Sequence, residues 1–168
     1  MREEGESLAE LLMVMTLLIF FGISMYLIIF SGSSAMRRID DEKNAQIEAR
    51  TALSFINVRI RQFDAEDSVK AAANSYNGGD AILLKNRDPE NPDADYDTWI
   101  YYDGGNLKEV LADADSAPQW DAAGVIARIG GLTAVQKDGF LTSTVTYTYN
   151  GEQKAISSII RQRSHNGR

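Results

Sequence analysis

Apolar and polar positions divide the chain into three regimes. From 11 to 30 the run LLMVMTLLIFFGISMYLIIF carries no charge, and the next charged residue is Arg37. About 20 apolar residues at ~1.5 Å rise cover the ~30 Å hydrocarbon core of a bilayer, so the run reads as a membrane span. Its 13 Leu, Ile, Val and Phe residues favour insertion by several kcal/mol, at roughly 0.3–0.6 kcal/mol each near the helix centre. A secretory signal is the rival reading, with a cleavage site mimicked by SGSSA at 31–35, but such signals have apolar cores of only ~7–15 residues. Between 37 and 63 the pattern becomes amphipathic: Ala45, Ala49, Ala52, Leu53, Ile56, Ile60 and Phe63 recur at helical spacing. No Pro interrupts 8–63, so a single helix of about 56 residues is expected, ~84 Å long, with a soft point at Ser31-Gly32-Ser33-Ser34.

From 64 onward short runs alternate with turn signals. Strands are predicted at 81–85, 98–102, 107–111, 125–129, 141–149 and 155–161. Asn150-Gly151 is a strong two-residue hairpin signal and Gly104-Gly105 a weaker one. Leu141, Val145, Tyr147 and Tyr149 alternate with Thr142, Thr144, Thr146 and Thr148, which places an apolar and a hydroxyl face on one strand. These runs imply one antiparallel sheet. Its apolar face and the apolar stripe of the helix both need a partner, so an α+β fold with the long helix packed on the sheet is expected. The segment 88–93 (DPENPD) reads as a polar loop.

Composition narrows the chemistry. The 168 residues hold 17 basic and 24 acidic side chains, a net charge of -7, which gives no electrostatic reason to bind nucleic acid. There is no cysteine and a single histidine, His165, so thiolate nucleophiles, disulfides and Cys- or His-based metal sites are excluded. No glycine-rich phosphate loop or nucleophile elbow is present, and neither an enzyme, a cofactor nor a small-molecule substrate is expected.

The front end carries a motif. Gly5 is followed by Glu6-Ser7-Leu8-Ala9-Glu10 and then the apolar run. With the helix-then-sheet layout, this resembles the type IV pilin and pseudopilin superfamily, in which a prepilin peptidase cuts after a Gly and a Glu stands fifth in the mature chain. The resemblance implies processing between Gly5 and Glu6 and an assembly role for Glu10. Glu6 stands where that family favours Phe or Met, and the leader reads Met-Arg-Glu-Glu. A second resemblance rests on ARTALSFINVRIRQFDA at 49–65 and YDTWIYYDGGNLKEV at 96–110, which look like an uncharacterised family of small single-span proteins of Gram-positive, clostridia-like bacteria. That family is similar in layout to minor pilins and brings no activity with it.

The remaining candidate sites each have a plainer reading. Glu10 is either the carboxylate that pairs with a neighbouring subunit's amino terminus or an interfacial residue at the lipid headgroups. Asp93, Asp95 and Asp97, with Asp88 and Glu90 nearby, offer hard oxygen ligands to calcium. An EF-hand loop counted from Asp93 would need Gly where Thr98 stands and Glu where Gly104 stands, so a solvated loop is preferred. Trp99, Tyr101 and Tyr102 form an aromatic stripe suited to a glycan or partner, yet strand aromatics mostly pack on neighbours. Arg59 and Arg61 near Asp64 read as surface pairs of the helix.

The flanking charges conflict with the resemblance over sidedness. Arg2 precedes the span, whereas Arg37, Arg38, Lys43 and Arg50 follow it, which by the positive-inside rule places the C-terminal part in the cytoplasm. The pilin resemblance implies a domain outside the cell membrane, and this is the expectation adopted. The expected organisation is a leader at 1–5, a transmembrane helix at 6–36, an amphipathic stalk helix at 37–64, a β-rich domain at 65–163 and a frayed tail at 164–168. The expected role is a non-enzymatic minor subunit of a type IV pilus or secretion-type filament, whose partners are membrane lipid, other pilin-like subunits and a prepilin peptidase. The alternative is a single-span, membrane-tethered binding module that never polymerises.

Overall fold

The computed structural model describes residues 3–63, 68–88 and 90–162, with side-chain surroundings for 10–31, 42–63, 68–88 and 90–162. Gly5 and Glu6 lie outside the described side chains, and Asp64, Pro89 and the predicted tail, including His165, lie outside the described residues. The chain divides into two units, Met1–Asp41 and Glu42–Arg168. Helix α1, Glu3–Gln62, contributes to both, and each unit is described by itself.

In the first unit, Glu10–Ser31 is a 22-residue helical stretch long and apolar enough to cross a membrane, and none of it is buried. It is compatible with a membrane anchor. Helix continues through Ser31–Ser34, where the sequence suggested a soft point.

The second unit is an α+β domain. Among the described residues eight strands follow the helix: β1 Val69–Ala73, β2 Asp80–Asn86, β3 Tyr96–Asp103, β4 Asn106–Asp113, β5 Gly124–Arg128, β6 Gly131–Lys137, β7 Phe140–Tyr149 and β8 Glu152–Arg161. They form two antiparallel meanders, a five-stranded sheet β1-β2-β3-β4-β5 and a three-stranded sheet β6-β7-β8. This corrects the expectation of one sheet. Strands β1 and β6 were not predicted: VKAAA is rich in alanine, a weak strand former, and β6 follows Gly130, which reads as a turn. β6 lies against β1, β2 and β3 and so layers the small sheet on the large one.

Two-residue turns set the registers. Gly104-Gly105, Asp138-Gly139 and Asn150-Gly151 all have positive φ at both positions (55° and 85°, 52° and 77°, 53° and 74°). They close the pairs Asp103↔Asn106, Lys137↔Phe140 and Tyr149↔Glu152. Positive φ at both central residues is the type I′ geometry, whose twist matches that of the strands.

The core joins three layers. Ala49, Ala52, Ile56 and Ile60 of the helix, Ile82, Leu84, Ile100 and Leu107 of the large sheet, and Leu132, Leu141, Val145 and Tyr147 of the small sheet make one buried cluster. Ala45, Leu53 and Phe63 pack against it, so the helical stripe read from the sequence is the buried one, while Ile47 and Val58 face outward. Alanines at 49 and 52 let the helix backbone approach the sheets closely. The β7 alternation holds: Leu141, Val145 and Tyr147 are buried and the four threonines lie on the opposite face.

Candidate functional site

The apolar stretch of α1 is the first candidate. All its side chains from Glu10 to Ser31 are exposed, and Glu10 is the only charged group among them. Its hydroxyls are satisfied within the helix: Thr16 Oγ1 donates to Leu12 O at 2.8 Å and Ser24 Oγ to Phe20 O at 2.8 Å. Such back-bonding lets Ser and Thr sit in hydrocarbon without an outside partner. Tyr26 and Phe30 stack one turn apart, with centroids 6.2 Å apart. The segment thus presents apolar surface with one carboxylate at its N-terminal margin. An ionised carboxylate at that position either reaches the headgroup layer or needs a cation from another chain.

The acidic loop is organised by an arginine that sequence reading did not single out. Arg87 Nη1 meets Asp97 Oδ1 at 2.8 Å, Nη2 meets Asp115 Oδ1 at 3.3 Å, and Nε lies 3.8 Å from Asp95 Oδ2. Lys85 Nζ also reaches Asp115 Oδ1 at 3.0 Å. Asp97 Oδ2 accepts the main-chain N–H of Asp115 (3.1 Å), and Asp95 Oδ1 accepts that of Asp88 (2.7 Å). The hydrogen bond to Asp97 raises the Arg87 pKa, and the hydrogen bond from Lys85, helped by its charge and that of Arg87, lowers that of Asp115. Two of the candidate calcium ligands, Asp95 and Asp97, are therefore committed to a basic group. Among the described residues no cluster of His, Cys, Asp and Glu is arranged to hold a metal. The arrangement fastens the 87–97 loop to the turn that follows β4.

The aromatic residues do not form one stripe. Adjacent residues on a strand face opposite ways, so Tyr102 packs on the main core while Trp99 and Tyr101 point to the other side of the large sheet. There Trp120 stands edge-on to both, at 4.9 Å from Tyr101 and 5.9 Å from Trp99, and tilts against Tyr76 at 5.8 Å. With Ala81, Val110 and Ala123 the rings of Trp99, Tyr101 and Trp120 form a second, smaller core under the segment that links β4 to β5. Burial raises the Tyr101 pKa. An open cleft of about 430 Å³ beside that segment is lined by Tyr96, Leu111, Asp113, Ser116 and Gln119 among others. Ser116 Oγ is turned to the carbonyl of Ala114 at 3.5 Å.

Asp64, the expected neighbour of Arg59 and Arg61, lies outside the described residues, and Arg59 reaches from the helix to the large sheet. Its Nε and Nη2 bind Glu109 of β4 at 2.9 and 3.0 Å, and its guanidinium lies 5.4 Å from the Phe55 ring centre. Arg61 is exposed. Helix and large sheet are thus joined by a two-point carboxylate contact, the geometry for which the guanidinium fork is suited.

A family described as a domain of unknown function, DUF4860, matches residues 47–148. The match begins in the domain part of α1, takes in both cores and ends within β7. No curated protein and no solved structure matches the chain.

Proposed function

This chain belongs to the DUF4860 family, and we propose that it serves as a non-enzymatic, minor pilin-like subunit of a membrane-anchored filament. In this reading the leader is cut between Gly5 and Glu6, the apolar helix rests in the cell membrane and packs with those of other pilin-like subunits, and the α+β domain is displayed outside. The observation that carries it is the stretch Glu10–Ser31, exposed along its whole length with Glu10 as its one charge. Such a surface requires lipid or other apolar helices to cover it, and the carboxylate stands where the pilin motif has its fifth-position Glu. The domain that follows it in sequence holds its polar clusters in mutual contacts that fasten loops, which supports a scaffolding role over a catalytic one.

The rival is a tethered binding module that keeps its leader. It is favoured by the excess of Arg37, Arg38, Lys43 and Arg50 over Arg2 across the span, since the positive-inside rule sets the domain in the cytoplasm, where no filament would display it. Mass spectrometry of the native amino terminus separates the two. A chain beginning at Glu6 supports the subunit, and an intact Met1 overturns it in favour of the tether.

A further inference from the structure

Two open sheets have four edges, and an edge strand presents unpaired main-chain groups that invite another strand. Three of these edges are capped by side chains. On β1, Ala71 N–H donates to Gln136 Oε1 (3.1 Å) and Val69 O accepts from Gln162 Nε2 (2.8 Å). On β5, Arg128 N–H donates to Glu48 Oε2 (2.9 Å), and on β6, Ala134 N–H donates to Asp80 Oδ2 (3.2 Å). The fourth edge is β8, ten residues long with no proline. Among the described residues only β7 pairs with its main chain. It also carries Ile159, which is 67% exposed, and half-buried Ile156 and Ile160 at the margin of the core.

The hairpin determines which groups of β8 point outward. In a type I′ turn the residues flanking the two central positions hydrogen-bond to each other, so Glu152 is bonded to Tyr149 across the Asn150-Gly151 turn. Antiparallel bonding alternates along a strand. The even-numbered residues of β8 therefore face β7, and Gln153, Ala155, Ser157, Ile159 and Arg161 turn their N–H and C=O groups outward.

We propose that this edge docks β8 of a second copy of the chain, antiparallel, with Ser157 opposite Ser157. The five outward residues are symmetric about Ser157, so this register pairs all of them: Gln153 with Arg161, Ala155 with Ile159, and Ser157 with itself. The side chains fit the same register. Small Ala155 receives exposed Ile159, Arg161 meets a neutral amide, and Lys154 is already neutralised by Glu152, so no like charges face each other. On the core face Ile156 meets Ser158 and Ile160 meets the stem of Lys154, which completes the cover of two half-buried isoleucines. The two small sheets become one six-stranded sheet. The inference goes beyond the filament reading and does not depend on it, because β8 lies in the domain and Glu10 plays no part.

The test uses the full chain in detergent micelles, and the absence of native cysteine gives single-cysteine variants a clean background. Hydrogen-bonded antiparallel partners have Cα atoms about 5.5 Å apart, within the span of a disulfide. Under mild oxidation Ser157→Cys should yield a covalent dimer. Gln153→Cys and Arg161→Cys should yield little alone and a mixed dimer when the two are combined. Thr146→Cys, on the outer face of β7, should stay monomeric. Adding Ala155→Pro to Ser157→Cys should abolish the crosslink while leaving far-ultraviolet circular dichroism unchanged, because proline on the free side of an edge strand removes only an outward donor. A monomeric Ser157→Cys chain, or equal crosslinking by all four cysteine variants, overturns the proposal. So does failure of the Gln153→Cys and Arg161→Cys mixture, which does not depend on the proline variant folding.

Discussion

Gln136 Nε2 donates to Gln162 Oε1 at 2.9 Å, and the rest of each amide reaches the edge of β1. Gln136 Oε1 accepts from Ala71 N–H, and Gln162 Nε2 donates to Val69 O. Gln162 is 8% exposed, and its own N–H is fixed to Gly139 O at 2.9 Å. Two amides thus staple the small sheet to the large one without a strand pairing between them. Gln162→Leu fills the space but leaves Val69 O and half of the Gln136 amide without partners. An orphaned buried polar group costs about 1–3 kcal/mol, so Gln162→Leu should lose that much in urea unfolding. Gln136→Leu, at an exposed position, should lose less, and the double variant should lose less than the sum.

Ile56 is fully buried between the helix and both sheets. Ile56→Ala should cost about 2–5 kcal/mol through lost burial and the cavity left behind. Val58→Ala, on the exposed face of the same helix, should stay within about 0.5 kcal/mol. Chemical denaturation of both variants tests the orientation of the stripe, and equal losses would refute it.

That stripe was legible because helix period and burial coincide from Ala45 to Phe63. So was β7, where Leu141, Val145, Tyr147 and Tyr149 alternate with threonines and only Ser143 breaks the apolar face. The division into two sheets was not, because β6 is announced by glycines that read as a turn. A Cβ at Gly131 would lie 2.9 Å from Thr146 Oγ1, so that glycine serves close strand approach on β7. The Arg87 clamp and the edge-capping side chains left no sequence signal either, since each partner lies in another element. Pairs such as Glu48 with Arg128, 80 residues apart, have no periodicity to betray them. At the candidate anchor, Glu10 was legible as the lone charge beside an apolar run.

The Arg59–Glu109 contact should be asymmetric. The Glu109 side chain is 11% exposed and that of Arg59 34%. Arg59→Ala strands a nearly buried carboxylate and also removes the packing on Phe55. Glu109→Gln leaves a guanidinium that still reaches solvent and the ring. Discounted for the exposure of Arg59, the first should cost about 1–3 kcal/mol and the second about 1 or less. A double-mutant cycle by chemical denaturation measures the coupling.

The Asp115 contacts with Lys85 and Arg87 make a pH prediction. Asp115 has its pKa lowered in the folded chain, so the unfolded chain binds the proton more readily. Its contribution to stability is fully present above the unfolded value of about 3.9 and is lost as pH falls through the lower folded value. The Tm gap between wild type and Asp115→Asn should therefore be widest near neutrality and close in acid. Because the carboxylate is exposed, the gap should also narrow as salt is raised. Thermal melts across pH 2–7 at low and high salt check both trends.

Glu10 provides the most direct test of assembly. If subunits pack through their apolar helices, its carboxylate loses water and requires a cation, most simply the amino group that cleavage would create on Glu6 of a neighbour. Glu10→Ala removes the anion and strands that ammonium in an apolar setting, so it should abolish crosslinked recovery with pilin-like subunits while the chain still fractionates with membranes. Glu6→Ala keeps the main-chain amino group and should reduce recovery far less. Glu10→Gln separates charge from size: it nearly preserves volume and hydrogen bonding but cannot neutralise the ammonium, so it should behave as Glu10→Ala does. An interfacial residue of a tethered module would tolerate all three changes, because alanine and glutamine are no less compatible with the headgroup layer than glutamate. Equal recovery of wild type and Glu10→Ala at matched expression would count against the filament subunit and favour the tether.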